Sequence, residues 1–528
     1  MEASKFFKNL QNPSTYGYDL KSVRVLQTHI SYVALTGKHA FKIKKPVNFG
    51  FLDFSTLEKR KHFCEEEVRL NKRLCPDIYL NVVPITLKDN GIEIDGTGQV
   101  VDYAVKMKEF SQEKIMTKLL ESDEIDEEIL DEIVDILVNF YNISDRSDDI
   151  DKYGSVELIK TNTDENFEQT KNVIDITISK DKYDFIQDIT NDFLEKKKNV
   201  FDDRIKNRFI CDCHGDLHSG NIVVDQDVCI FDCIEFNDRF RYSDVASDIA
   251  FLSMDLDFLG HPYYSSYLIE KYLEKSRDVG ILDVLNFYRC YRAYVRGKVI
   301  GFRLNDSNIG DDEKITIKTT AKKYFDLAYY YASLCKYELS KSKPILFITS
   351  GLTGSGKTTA ARKASVDYNA TIISTDSVRK ELEGIDKFER HHDAYNTGLY
   401  SPEKMSITYN KVLERAEKLL KKGSSVVLDA TFKTKELRDK AKNVAKRHNA
   451  GILFLYCNCP EEIVKKYLQR RVKKRSISDG RWEVYIKQKN SYEMLTHDEK
   501  FVEIDVSNRS FDYQINVFNQ ILDKVYEV

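Results

Sequence analysis

Residues 345–359 read Ile-Leu-Phe-Ile-Thr-Ser-Gly-Leu-Thr-Gly-Ser-Gly-Lys-Thr-Thr, and this stretch decides the class of the C-terminal part of the chain. The apolar run Ile345 to Ile348 suits a strand buried on both faces. From Gly351 onward the residues fit G-x-x-x-x-G-K-[ST] at every fixed position: Gly351, Gly356, Lys357 and Thr358. With Gly354, these glycines let successive backbone N–H groups converge on phosphate oxygens at the positive end of the helix that follows. Thr353, Ser355 and Thr359 complete the loop. Lys357 is spaced to reach the β- and γ-phosphates of ATP, and the Thr358 hydroxyl to ligate Mg²⁺.

Downstream, buried-type strands recur at Val426 to Leu428 and Ile452 to Tyr456. The pattern predicts an α/β P-loop NTPase domain with a parallel sheet. The apolar pair Ile372-Ile373 runs into Ser374-Thr375-Asp376-Ser377-Val378-Arg379. At a strand end an Asp can accept a hydroxyl proton, and Arg379 can orient an anionic substrate. Val426 to Leu428 ends in Asp429, a carboxylate suited to hold Mg²⁺ through water. Arg470, Arg471 and Arg475 cluster where a lid would stabilise charge on a transferring phosphoryl group. Together with Asp429-Ala-Thr-Phe and the later Arg438, these stretches resemble the small P-loop kinases that include gluconate kinases, zeta-toxin-like kinases and polynucleotide 5′-kinases. The resemblance implies that Asp376 is the catalytic base.

Upstream of this stretch, a long helical pattern ends near Ser340, so the seam divides the chain into residues 1–340 and 341–528. Within the first part, Cys213-His214-Gly215-Asp216-Leu217-His218-Ser219-Gly220-Asn221 carries the chemistry. Asp216 can accept a substrate hydroxyl proton, and Asn221 can ligate a metal bridging ATP phosphates. The apolar strand Val228 to Phe231 then ends at Asp232, where a second Mg²⁺ ligand is needed. A hairpin is expected from Ile30 to Leu35, a turn at Thr36-Gly37-Lys38, and His39 to Lys45. A helix follows from Thr56 to Leu74. Lys42 and Lys44 share a strand face. On the helix, Phe63, Glu67, Leu70 and Leu74 form one stripe, and a carboxylate on a core-facing stripe needs a cation. Glu67 is therefore the expected partner of Lys42, with Lys44 as the alternative. An acidic stretch, Glu121 to Phe140, repeats Ile at helical spacing and reads as a solvated amphipathic helix.

These residues resemble the aminoglycoside phosphotransferase and choline-kinase-like branch of the protein-kinase fold, over roughly residues 20–335. Asp244 and Asp248 resemble that branch's structural D-x-x-x-D helix. No G-x-G-x-x-G occurs in the first hairpin, where Thr28-His29-Ile30-Ser31 stands instead. The whole chain resembles fused aminoglycoside phosphotransferase/ATP-binding proteins. That resemblance implies an α+β protein-kinase-like part of two lobes followed by the P-loop domain, and a bifunctional kinase using ATP and Mg²⁺.

With 81 basic and 85 acidic residues, the chain has no basic excess to favour nucleic acid. No signal-peptide pattern opens it and no apolar run reaches the ~18 residues of a membrane span, so the cytoplasm is expected. Cys211, Cys213, Cys229 and Cys233 lack a C-x-x-C pair, and Cys211 and Cys213 should point to opposite strand faces, which favours packing over a metal. Arg289, Arg292, Arg296 and Arg303 follow one helix face. If Arg292 and Arg296 line the cleft, the acceptor is anionic; if the row pairs with local acids, Asp244 and Asp248 are the expected partners. The expected partner is a small-molecule hydroxyl acceptor. Two rivals stand beside this reading: a polynucleotide or nucleoside 5′-kinase in the second part, and a regulator in which one ATP site controls the other.

Overall fold

The computed structural model describes residues 3–88, 91–306, 309–386, 389, 397–471 and 480–528. Contacts divide the chain into two compact units: Met1–Leu158 with Phe201–Leu252, and Ile159–Val200 with Ser253–Val528.

The first unit contains a six-stranded antiparallel sheet in the order β1-β2-β3-β6-β4-β5. Its strands are β1 (Arg24–Gln27), β2 (Ser31–Leu35), β3 (His39–Lys44), β4 (Tyr79–Lys88), β5 (Gly91–Ile94) and β6 (Val100–Lys108). The β2–β3 turn closes because Gly37 adopts φ 85° and Thr36 Oγ1 accepts the His39 N–H at 3.0 Å. Alternation along β3 buries Phe41 and Ile43 in one core with Tyr32, Val83 and Ala104. Between β3 and β4 lies the Leu57–Asn71 helix, capped by Thr56, whose hydroxyl accepts the Lys59 N–H. Its buried face carries Cys64, Glu67 and Leu70, so the expected stripe is the one that faces inward. The acidic stretch splits into Met116–Glu121 and Glu127–Ile143, because Asp126 caps a fresh helix start.

Four short strands frame the loop around Asp216: β7 (Ile210–Asp212), β8 (Ile222–Val224), β9 (Val228–Ile230) and β10 (Tyr242–Asp244). β8 and β9 form a hairpin, and β7 pairs with β10. The expectation that Cys211 and Cys213 point apart is corrected: their sulfurs lie 3.6 Å from each other. Residues two apart along a strand share a face, so alternation itself turns the two sulfurs the same way, as it does Lys42 and Lys44. Cys75 and Cys229 are bonded to each other.

The second unit is built on a five-stranded parallel sheet ordered β12-β13-β11-β14-β15. Its strands are β11 (Ile345–Ser350), β12 (Thr371–Ser374), β13 (Val426–Asp429), β14 (Gly451–Cys457) and β15 (Phe501–Ile504). Every residue of central β11 and of β13 is buried, as a parallel strand covered on both faces requires. The P-loop helix, Lys357–Asp367, follows β11 directly. The helices Pro262–Ser276, Leu282–Phe302 and Asp311–Ser340 precede the expected seam in sequence, yet belong to this compact unit. Apolar and aromatic faces explain why. Tyr330 stacks on Phe518 at 5.1 Å, Tyr337 meets Tyr368 edge-on at 5.5 Å, and Phe258 lies 5.6 Å from Phe511. The sequence seam marks a change of pattern; packing carries the unit back across it. Among the described residues, no helix is long and apolar enough to cross a membrane.

Two candidate functional sites

In the first unit, the site starts from a buried helix that fixes a loop. Asp248, within the Val245–Phe258 helix, accepts the backbone N–H of His214 at 2.8 Å and of Gly215 at 2.9 Å. Gly215 has φ 88°, and a Cβ there would press on the Phe240 carbonyl at 2.9 Å, so only glycine makes this turn without strain. His214 Nδ1 accepts the Asp216 N–H at 3.2 Å, and its Nε2 lies 2.9 Å from the Phe231 carbonyl oxygen. Burial lowers the His214 pKa, which keeps the ring neutral and able to accept at Nδ1. The Asn221 amide then donates to the Asp216 carbonyl at 3.0 Å and to its carboxylate at 3.1 Å. The hairpin brings Asp232 to the same place, since the Phe231 N–H donates to the Asn221 carbonyl at 2.9 Å. Asp232 adopts φ 63° and keeps its side chain 44% exposed, so its carboxylate faces an open side.

The lysines separate by burial. Lys42 Nζ lies 2.8 Å from Glu67 Oε1 and 2.6 Å from Asp232 Oδ1. Lys44 Nζ lies 2.7 Å from Glu67 Oε2 and contacts Glu235, with a side chain only 1% exposed. Glu67 thus bridges two ammonium groups. Its burial resists ionisation, but Lys42 and Lys44 outweigh it and pull the carboxyl down to about 2. Burial likewise opposes the Lys42 charge, yet Asp232 and Glu67 hold its pKa well above the ordinary lysine value. Lys42 is the lysine beside the half-exposed carboxylate; Lys44 is sealed behind it. Glu235 was absent from the sequence expectations. Its only local signal is a carboxylate three residues after Asp232, five residues past the end of β9.

In the second unit, backbone does most of the building. Gly351, Gly354 and Gly356 adopt φ 136°, 78° and 92°. A Cβ at Gly351 would run into the Cys457 carbonyl oxygen, and one at Gly356 into Val506. Ser355 Oγ is buried without a hydrogen-bond partner among the described residues, inside the loop expected to cradle phosphate. The N–H of Thr353 donates to Gln488 Oε1 at 2.8 Å, from the Trp482–Lys489 helix. Lys357 Nζ donates to the Leu352 carbonyl at 2.7 Å, and Thr359 sits on the first turn of the P-loop helix.

The Thr358 hydroxyl donates to Asp429 Oδ2 at 2.9 Å. Burial pushes the Asp429 carboxyl up, with Lys357 and Thr358 pulling the other way. This hydroxyl–carboxylate pair offers hard oxygen donors of the kind Mg²⁺ takes, and so fits the expected cation. Ser374 and Asp429 are register partners at the ends of β12 and β13, which carries Asp376 close to the same edge. Arg379 Nη1 donates to Asp376 Oδ1 at 2.7 Å, and its guanidinium lies over the Tyr400 ring at 4.5 Å. Arg438 is wholly buried, bonded to Glu499 at 2.7 Å and to the carbonyls of Phe432, Glu493 and Met494. It holds loops rather than facing a cleft.

Arg470 and Arg471 close the Glu461–Arg471 helix, and Arg475 lies outside the described residues. The arginine row does not act as a row. Arg289 is fully buried against Asp367, whereas Arg303 is paired with Glu313. Arg292 is buried and lies 5.5 Å from the Tyr291 ring; Arg296 lies 5.6 Å from that of Tyr324. The acids expected to pair with the row are engaged elsewhere, Asp244 with Arg204 and Asp248 with the His214 loop. Among the described residues, no group of three or more His, Cys, Asp or Glu could hold a metal ion, the cysteine cluster included.

Residues 346–495 match the family model described as an AAA domain. Over 443 residues the chain is 30% identical to the "Uncharacterized protein Rv2004c" of Mycobacterium tuberculosis (strain ATCC 25618 / H37Rv), covering 84% of this chain and 85% of that protein. A solved gluconokinase from Sinorhizobium meliloti 1021 is similar at 17% identity and a TM-score of 0.26, over 35% of this chain and 98% of its own. The Mycobacterium tuberculosis APS kinase CysC, solved with AMPPNP and APS, is similar at 15% identity and a TM-score of 0.25, over 34% of this chain and 99% of its own.

Proposed function

We infer that this chain, which belongs to the family of the Mycobacterium tuberculosis protein Rv2004c, is an ATP-dependent phosphotransferase with a P-loop kinase site in its second unit. One observation carries the reading: within a G-x-x-x-x-G-K-T loop, Thr358 and Asp429 stand 2.9 Å apart at the strands' carboxyl ends, where β12 runs into the helix bearing Asp376. A carboxylate held by an arginine at this place suits a kinase, which must take a proton from its acceptor hydroxyl. Backbone N–H groups of Gly351 to Thr358 cradle the phosphates, and Lys357 meets the β- and γ-oxygens. Thr358 and Asp429 would hold Mg²⁺, which supplies charge neutralisation on the phosphates when bound. Asp376 accepts the proton of the attacking hydroxyl, and Arg379, bonded to it at 2.7 Å, keeps that carboxylate aimed.

The first unit supports a second site of the same chemistry, of the aminoglycoside phosphotransferase type. Asp216 is the base, Asn221 and Asp232 would hold Mg²⁺, and Lys42, braced by Glu67, positions the nucleotide phosphates. The acceptor in both sites is a hydroxyl on a small metabolite. The test is ADP release by the full chain across a panel of hydroxyl compounds, with Lys357→Ala and Asp216→Asn made separately. Each change is expected to remove one component of turnover. If neither reduces any turnover, the assignment fails.

A further inference from the structure

The P-loop helix carries two charged residues that no phosphate-binding role employs, and both are buried. Lys363 and Asp367 lie one turn apart on this helix and are only 6% and 4% exposed. Lys363 Nζ donates to Asp257 Oδ2 at 2.8 Å and to Asp367 Oδ1 at 2.9 Å. Arg289 Nη1 donates to the same Asp367 oxygen at 3.1 Å, and the Tyr330 hydroxyl to Asp367 Oδ2 at 2.6 Å. The Tyr331 hydroxyl donates to Asp257 Oδ2 at 2.6 Å. Asn286 Nδ2 caps the arrangement by donating to the Asp367 backbone carbonyl at 2.9 Å. Arg289 is held in turn by Ser253 and Ser265.

Asp257, Arg289, Tyr330 and Tyr331 all lie before residue 340, in the helices that join the P-loop sheet in one compact unit. Two acids and two bases make the cluster neutral, and aromatic rings close it: Lys363 Nζ is 4.7 Å from the Phe518 ring. Burial works against the Arg289 charge, but Tyr331, Asp257 and Asp367 raise its pKa above the ordinary value.

A buried cluster of this kind is poor evidence for stability. Desolvating the ions offsets most of their mutual attraction, and apolar side chains of similar volume often serve the fold as well. What ions supply and apolar contacts do not is direction: each donor accepts one geometry, so a helix fixed by them cannot slide or rotate. The fixed helix here begins at Lys357 and Thr358, whose atoms must meet phosphate and cation within a fraction of an ångström.

We propose that Asp257, Arg289, Lys363 and Asp367 are positioning residues for the P-loop site, setting the axial and rotational placement of its helix. The site is thereby completed by the helices of residues 253–340 rather than by the P-loop domain alone. The proposal rests on the reading of the P-loop as an ATP site. Its test keeps the full chain and exchanges oppositely charged pairs for apolar ones, Arg289→Met with Asp367→Leu and Asp257→Leu with Lys363→Met. Binding of a fluorescent ATP analogue and ADP release are measured, each as the component lost in Lys357→Ala.

The expected result is a nearly unchanged melting midpoint, while the Lys357-dependent turnover falls by about 100-fold, the loss that follows a misplacement of about 1 Å. Retained turnover and affinity in folded pair variants would overturn the proposal, as would losses that merely track the melting midpoint. Arg289→Lys keeps the charge but removes the fork. If the pair variants fail to fold, a turnover loss in that single variant with unchanged analogue affinity supports positioning, and unchanged turnover refutes it. If Lys357→Ala itself leaves binding and turnover intact, the P-loop reading has failed instead.

Discussion

The two candidate sites are built for the same proposed chemistry from different materials. In the first unit the groups proposed to face a nucleotide are charged side chains braced by other charged side chains: Lys42 by Glu67, Glu67 by Lys44, Lys44 by Glu235. In the second, the phosphate cradle is backbone, shaped by three glycines in the left-handed region and stiffened by the helix behind it. A side-chain site can be dismantled one charge at a time and responds to pH. A backbone site ignores most side-chain changes but fails when its path is altered.

The largest effect should come from Gly351→Ala. The added Cβ meets the Cys457 carbonyl at a φ that alanine rarely adopts, so Lys357-dependent nucleotide binding should fall by roughly 100-fold or more. The Asp216-dependent turnover should be untouched; equal loss in both would dissolve the contrast. Next, Lys42→Met and Lys44→Met should part company. Removing Lys44 leaves Glu67 and Glu235 short of their buried counter-ion, and chemical denaturation should report a loss of about 3–5 kcal/mol. Removing Lys42 should leave the fold nearer its original stability, because Lys44 still neutralises Glu67, while Asp216-dependent turnover falls by about 100-fold or more. Identical stability losses would mean that the two lysines are equivalent.

Acid sharpens the same point. The Glu67 carboxyl is lowered to about 2 in the fold, whereas in an unfolded chain it titrates near ~4.3. Its contribution is therefore complete above that unfolded value and drains away as pH falls toward the folded one. Lys42 is raised, so its contribution is present below the unfolded lysine value and fades only as pH rises through the higher folded one. Thermal unfolding of the first unit should thus be insensitive to these groups from about pH 5 to 9, and Glu67→Gln should lose the acid-side slope. The smallest effect is expected from Gln488→Ala. It removes one neutral hydrogen bond to the P-loop, worth ~1 kcal/mol, so analogue affinity should change by roughly fivefold at most.

What could be read from the sequence was local. The β2–β3 hairpin, the helix behind it and the inward face bearing Glu67 all follow from spacing of two or of about 3.6 residues. The P-loop and strands β11, β13 and β14 were equally legible, because a parallel core strand is apolar throughout. Spacing could not say which partner a charge finds far along the chain. Arg289 looked like one of four arginines on a cleft, but it meets an aspartate 78 residues away. Glu235 finds Lys44 across 191 residues. Lys363 and Asp367 at i and i+4 resemble an ordinary solvated pair, and only the helices packed over them show otherwise. The cysteine expectation failed for a different reason: alternation places residues two apart on one face, so Cys211 and Cys213 meet instead of pointing apart.

The cluster beneath the P-loop helix also has a temporal order written into it. Asp257, Arg289, Tyr330 and Tyr331 are translated before Lys363 and Asp367. Within residues 253–340 Asp257 already meets Tyr331 and Arg289 meets Ser253, and the P-loop helix brings the partners that complete the cluster. The cluster is therefore finished only when both parts are present, which ties the folding of the P-loop helix to the helices that precede it.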